Sequence, residues 1–312
     1  MSFVEIGRPA VFAFFMLSGY WVLRMYEQKY RLNAPILVFY LSRFMRIWPA
    51  FGTAFVIAFL LFAVVSDPKP MTMLGGLPLL GIATTKRGAL GTSWSLDIEL
   101  QFYLLVPALS LALTWMQHAR GRLVVFVLIG AILTVLGWYL QVILGLWSVL
   151  SYLPPFMIGA LIWHLQVRHS KRQALLSVLL FLCVGIAVAL VPYLRPLLLR
   201  DVAGPFNEDW FGMVWIALLT PFVVWNVQQK SSRFDMHLGN YSYALYIIHW
   251  PVIALLHPFM QPLSLTDRGL IILTILVVSV IFYATVDRGW ENLRRGTIRR
   301  LTGTYNADRS KA

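Results

Sequence analysis

Hydrophobic residues in this chain come in long blocks, with no two-residue alternation of the kind a half-buried sheet needs. Cut at charges, prolines and glycines, the blocks fall near 9–23, 47–66, 97–116, 123–143, 150–166, 173–194, 210–228, 240–257 and 269–286. Most approach the roughly 20 residues that a helix needs to cross a bilayer. Leu123 to Val167 holds no acid, Lys or Arg, and its 45 residues are far too many for one span, so it divides at Gly145–Ser151. Pro154-Pro155 then opens the fifth block, where a helix's first turn tolerates proline. The longest connection, 67–93, contains Gly75-Gly76 and Pro78 and is a candidate to dip back into the membrane. No internal repeat, low-complexity tract or soluble domain interrupts the series. The pattern predicts an all-α polytopic integral membrane bundle of nine transmembrane helices, one domain over 1–312 with a basic tail at 287–312.

Composition agrees: 59% of residues are hydrophobic and 12% charged, against about 25% charged in soluble domains. Apolar content and charge placement argue against a nucleic-acid partner despite the net charge of +13. Nineteen Lys and Arg fall in 24–46, 117–122, 167–172, 229–239 and the tail, against seven in the alternate segments. That bias puts the C-terminus and the 24–46 loop in the cytoplasm and the N-terminus outside; the tail's arginines read first as setting that orientation, with contact to anionic membrane lipid as the lesser alternative. Cys183 is the one cysteine and reads as packing. The six His lack metal-ligand spacing, and no His-Glu-x-x-His or Cys-x-x-Cys occurs.

The chemistry concentrates where the third block begins, at Ser93-Trp94-Ser95-Leu96-Asp97-Ile98-Glu99-Leu100-Gln101-Phe102-Tyr103, after which no charged residue appears before Arg120. On a helix Ser95, Glu99 and Tyr103 share one face, while Asp97 and Gln101 share another. A carboxylate here either caps free amides at the helix start or serves a function, as intramembrane acids do by default. Asp97 suits the cap, and Glu99 the function.

Four segments resemble one family, the bacterial membrane acyltransferases of the acyltransferase-3 type. They are Phe14-Phe15-Met16-Leu17-Ser18-Gly19-Tyr20; Phe39-Tyr40-Leu41-Ser42-Arg43-Phe44-Met45-Arg46-Ile47-Trp48-Pro49; the Trp94-Ser95-Leu96 stretch with Glu99 and Phe102-Tyr103; and Tyr241-Ser242-Tyr243 with Leu245-Tyr246 and His249-Trp250-Pro251. The resemblance implies O-acylation of surface polysaccharides, lipids or related glycans at the bacterial inner membrane. Three features depart from the pattern. Phe12 stands where the family often has an acid, Asp287-Arg288-Gly289 replaces a closing Glu-x-Pro, and the family's first helix, with its Arg or Lys followed by His, has no counterpart ahead of Phe14. A core of ten helices minus the first leaves nine, which matches the count. It carries the expectation that in-frame sequence upstream of Met1 encodes the missing helix, and that the 312-residue form alone transfers little.

Within that resemblance, Arg43, Arg46 and Ser18 are the expected donor side, because guanidinium pairs bidentately with phosphate. Positive-inside topology would account for the two arginines equally well. Glu99 and His249 are the expected catalytic bases, since a partly desolvated carboxylate or imidazole titrates nearer neutrality; His249 is otherwise a packing histidine. Trp94, Ser95 and Tyr103 are the expected acceptor side, Trp94 serving as a sugar platform or as part of an interfacial belt. Counted along their helices at about 1.5 Å per residue, these groups form a ladder, with the arginines at the inner end and Glu99 near the outer. Acetyl-CoA or another acyl-CoA is the expected co-substrate, with no bound cofactor or metal, and a glycan or lipid-linked sugar the acceptor. The rival readings are a glycan or lipid transporter or flippase, and a non-catalytic remnant.

Overall fold

The apolar blocks fold as helices. The computed structural model describes residues 7–65, 74–85, 90–116, 120–198, 207–256 and 264–309. In order the helices are α1 (Gly7–Met25), α2 (Ile36–Val65), α3 (Ile82–Thr85), α4 (Ser93–Met116), α5 (Arg120–Leu144), α6 (Leu153–Leu165), α7 (Lys171–Leu190), α8 (Glu208–Ala217), α9 (Thr220–Val227), α10 (Arg233–Leu256), α11 (Leu265–Phe282) and α12 (Arg288–Arg309). Wide π-helical turns follow α1 at Tyr26–Tyr30 and α11 at Tyr283–Asp287.

Helix starts and breaks follow from local chemistry. Ser170 and Ser264 cap α7 and α11 in reciprocal pairs with Gln173 and Asp267. The Asn207 side chain takes the free amides of Asp209 and Trp210 at the head of α8. Gly145, at φ +65°, ends α5 inside the acid-free block, and a proline sits in the first turn of α6.

Among the described residues, five helical segments are long and apolar enough to cross a membrane: Ile36–Val64, Ser93–Met116, Gly121–Leu144, Lys171–Leu190 and Leu265–Gly303. The pair α8–α9 makes a sixth if counted as one span; it is bent by 51° at a short break inside the block expected at 210–228. The remaining expected spans are helical too, but α1 carries arginines near both ends, α6 is short, and polar residues dilute the first turns of α10. The protein is a multi-pass membrane protein. Only 17% of the most apolar windows of α5 and α7 is buried, and their uncovered side chains, such as Leu128, Ile132 and Leu179, suit lipid.

Two expectations need correction. The 24–46 segment is not a loop throughout: α2 begins at Ile36, so Arg43 and Arg46 lie two to three turns inside it. Cutting blocks at every charge placed the boundary too late, because buried carboxylates keep one of these arginines inside a helix, as described below. Cys183 is exposed on α7, since an apolar run does not say which of its faces meets protein. Part of the expected re-entrant connection, 66–73 and 86–89, lies outside the described residues.

The chain packs as two units, 1–28 with 105–142 and 149–230, and 29–104 with 143–148 and 231–312. In the first, α1 lies against α6 and α8, and α7 against α8 and α9. A Cβ at Gly19 would lie 2.1 Å from the Phe156 carbonyl oxygen, and one at Gly159 would lie 1.9 Å from that of Met16. Only glycine at both positions lets α1 and α6 cross this closely, as small residues do at membrane helix contacts. Phe15 stacks on Phe156 at 4.5 Å beside the crossing. Arg8 pairs with Glu208 and Asp209, and the Tyr152 hydroxyl donates to Asp209 at 3.2 Å, tying α1 to α8. Glu27 accepts from Ser110 at 2.9 Å and from the Trp163 indole at 2.7 Å. In the second unit α2 packs on α10 and α12, and α10 on α11.

Candidate active site

Most of the expected site residues belong to the second unit, and α2, α4, α10 and the α11–α12 junction position them. Glu99 sits 4% exposed on α4, and one turn on the buried Tyr103 hydroxyl donates to its Oε1 at 2.5 Å, the short length typical of O–H bonds to a carboxylate. The Arg43 guanidinium, from α2, lies 5.7 Å from the Tyr103 ring centroid, within cation–π reach. Its Nε is buried and has no hydrogen-bond partner among the described residues. Arg43, Tyr103 and Glu99 thus form one cluster. The expected ladder, with Arg43 and Glu99 at opposite ends, is corrected: helix α2 extends further than its charges implied, and its arginines reach the level of Tyr103.

Arg46, one turn beyond Arg43, faces other partners. Its Nη1 lies 3.6 Å from Asp287 and 3.8 Å from Glu291, and its guanidinium sits 5.0 Å over the Tyr243 ring. The π turn at 283–287 delivers Asp287, 2% exposed, to this contact; such turns recur at functional sites. Glu291 also accepts from Arg294 and Arg295 on its own helix, and Arg294 reaches back to donate to Ser42 at 2.9 Å. Ser42 in turn accepts from Tyr30 at 3.0 Å. The Tyr243 hydroxyl donates to the Ile47 carbonyl at 2.6 Å, stitching α10 to α2.

The fourth motif approaches the same helix from α10. Tyr246 donates to the Thr92 carbonyl at 2.9 Å and shares a short hydrogen bond with Ser95, which is 1% exposed. His249, one turn on, is tilted against the Tyr246 ring at 5.7 Å. Its Nδ1 lies 3.3 Å from the Leu245 carbonyl, which can only accept; that contact favours the tautomer with the proton on Nδ1 and Nε2 as the acceptor. His249 lines a cavity of about 450 Å³ between α10 and α11 with Ser242, Leu245, Tyr246 and Ile275. The Trp250 indole packs so tightly on Gly91 that a Cβ there would lie 2.3 Å from it. Asp97 is fully buried and works as the cap expected of it, though on a different helix: its Oδ2 accepts from the Ala83 amide of α3 at 2.9 Å, and its Oδ1 from Gln101 at 3.0 Å. Trp94 is half-buried in the first turn of α4. Ser18, buried beside Gly19, belongs to the first unit.

The arrangement thus offers a buried carboxylate with a hydroxyl donor, an imidazole with an accepting nitrogen, and guanidinium groups beside both kinds of partner. Among the described residues no group of three or more His, Cys, Asp or Glu is placed to hold a metal ion. Sequence reasoning missed Asp287, Glu291, Tyr243 and Tyr246 as site members. Tyr243 and Tyr246 stood inside a quoted motif, and Asp287 stood where the closing Glu-x-Pro was looked for, so the signal was present without its geometry.

Compared with known families, the sequence matches the acyltransferase domain of the acyltransferase-3 type over residues 1–286. The chain belongs to that family. It is 22% identical over 314 residues to the peptidoglycan O-acetyltransferase OatA of Listeria monocytogenes, covering 83% of the chain and 47% of the relative. It is 26% identical over 204 residues to a putative membrane-bound transacylase, BcsY, of Komagataeibacter xylinus, covering 63% of the chain and 50% of that protein. The chain spans about half the length of these curated relatives. No solved structure matches it.

Proposed function

We propose that this membrane acyltransferase moves an acyl group, acetyl in the first instance, from a cytoplasmic acyl-CoA to a hydroxyl of an extracytoplasmic glycan or lipid-linked sugar. Its site would lie in a nine-helix bundle in the bacterial inner membrane, with the C-terminus cytoplasmic. The observation that carries the reading is the Arg43–Tyr103–Glu99 cluster, in which a buried base and an arginine with an unused donor flank one phenol. Family membership and the O-acetyltransferase activity in the name of one relative support it.

In this scheme Glu99 or His249 takes the proton of the acceptor hydroxyl as its oxygen attacks the thioester carbonyl. The C–O bond forms, the C–S bond breaks, and the proton passes to the departing thiolate, so that free CoA and the ester are the products. Arg43 holds a donor phosphate, and Arg46 assists. Ser95, Tyr103 and Trp94 face the acceptor.

Inside-out membrane vesicles carrying the chain, supplied with labelled acetyl-CoA, test this. Label should appear in base-labile ester on glycan, and free CoA should accumulate, both only with the chain present. Glycan crossing the membrane with no donor consumed would replace the proposal with the transporter reading.

A further inference from the structure

The first unit carries another cavity, a polar one, that the acyl-transfer scheme does not use. It measures about 650 Å³ and is walled by the ends of α1, α6 and α9, with Trp21, Arg24, Trp163, Gln166, Arg168 and Gln228 in its lining. The charge bias assigns the three segments that follow these helices to one face, the cytoplasmic one. The cavity is built rather than incidental. Gln166 takes a left-handed turn at φ +50° to close α6, and its amide donates to the Trp163 carbonyl. Gln228 reaches from the end of α9 to donate to the Val167 carbonyl, fastening that turn in place.

Its chemistry is one-sided. Among the described residues no Asp or Glu lines it, although Glu27 accepts from the indole of the lining Trp163 at 2.7 Å. Arg24 lies 5.1 Å from the Trp21 ring and 5.4 Å from the Trp163 ring, and its Nε donates to Gln28 at 3.3 Å. Among the described residues neither Arg24 nor Arg168 has an acidic partner. On the rim, exposed Gln166, Arg168, Gln228 and Gln229 stand with one apolar lining side chain, Trp21, 44% exposed, and Leu165, next to Gln166 in the chain, is 48% exposed. A cationic, acid-free hollow beside exposed Trp and Leu suits an amphipathic anion, with the phosphate inside and the chains along the helices. A free nucleotide would have no use for that rim.

We propose that this cavity holds the phosphate headgroup of an anionic phospholipid. Basic pockets between transmembrane helices on this face recognise such headgroups. The inference is independent of the acyl-transfer reading.

The test uses the full chain in detergent, with phosphatidylglycerol and phosphatidylcholine as probes and native mass spectrometry to count bound lipid. Wild type should retain phosphatidylglycerol over phosphatidylcholine. Arg24→Gln and Arg168→Gln should each weaken phosphatidylglycerol about fivefold, and the pair ~25-fold, with phosphatidylcholine unchanged. Arg168 is exposed and, among the described residues, makes no ion pair or side-chain hydrogen bond, so a loss on its replacement is not unfolding. Wild-type retention in both variants would overturn the proposal. So would displacement of the lipid by soluble CoA, which would make the cavity a nucleotide site.

Discussion

Arg43 and Arg46 stand one helical turn apart on α2 yet have opposite neighbours: Arg43 keeps a buried Nε without a partner, while Arg46 lies between Asp287 and Glu291. The motif that presents them as a pair therefore hides two environments. Arg43→Lys retains charge but loses the planar fork; it should weaken donor use at least tenfold in KM for acyl-CoA and leave thermal stability nearly unchanged. Arg46→Ala strands the buried Asp287 carboxylate and should cost about 3–5 kcal/mol of stability, with partial recovery when Asp287→Asn is added. Arg172→Lys, exposed on α7, should do nothing. Equal tolerance at Arg43, Arg46 and Arg172 would return the pair to topology signals.

Ser-Gly-Tyr in the first motif reads differently once packed. Because a Cβ at Gly19 would strike the Phe156 backbone, and backbone cannot swing aside, Gly19→Ala should push α1 off α6. The expected result is a clear fall in melting temperature in detergent and lost activity, whereas Gly7→Ala, with open space around it, should be silent. Similar melting curves for the two would show that the crossing is looser than drawn.

Much of this was legible in the sequence. The helix boundaries of α1, α4 to α7 and α11 lie within a few residues of the apolar blocks, because chain in lipid must close its own backbone hydrogen bonds. The faces of α4 were legible too: Glu99 bonds Tyr103 and Asp97 bonds Gln101, as four-residue spacing requires. The partners of Arg46 were not. They arrive from more than 240 positions away through a π turn, and no local pattern announces one. The meeting of Arg43 with Tyr103 was lost for a plainer reason: treating arginine as a helix stop is sound in open lipid and fails where acids and phenols surround it.

The charge bias still sets an orientation that can be measured. A reporter fused after Ala312, or inserted at 32–34 in the turn ahead of α2, should read cytoplasmic. One inserted in 199–206, beyond the described residues, should read periplasmic. The insertion must precede Ile36, because α2 begins there and an insertion beyond it would break a helix. A periplasmic tail would reverse the orientation and with it the cytoplasmic donor.

Glu99 carries the largest stake. Glu99→Gln preserves the shape, and Tyr103 can still donate to the amide oxygen, so the protein should insert and melt near wild type. The base and the negative charge beside Arg43 are gone, and acyl transfer should fall by a factor of roughly 10² or more, the usual contribution of a positioned base. Tyr103→Phe removes the donor that orients the carboxylate and should cost less, with kcat falling more than KM rises. Asp97→Asn is the internal contrast. It weakens the carboxylate's bonds to Ala83 and Gln101, so its effect should appear as about 1–3 kcal/mol of stability with turnover per folded molecule largely kept. Rates per folded protein, measured alongside melting curves, separate the two carboxylates. Full activity in Glu99→Gln would move the chemistry to His249, the other base of the proposed scheme, and His249→Gln would become the decisive variant.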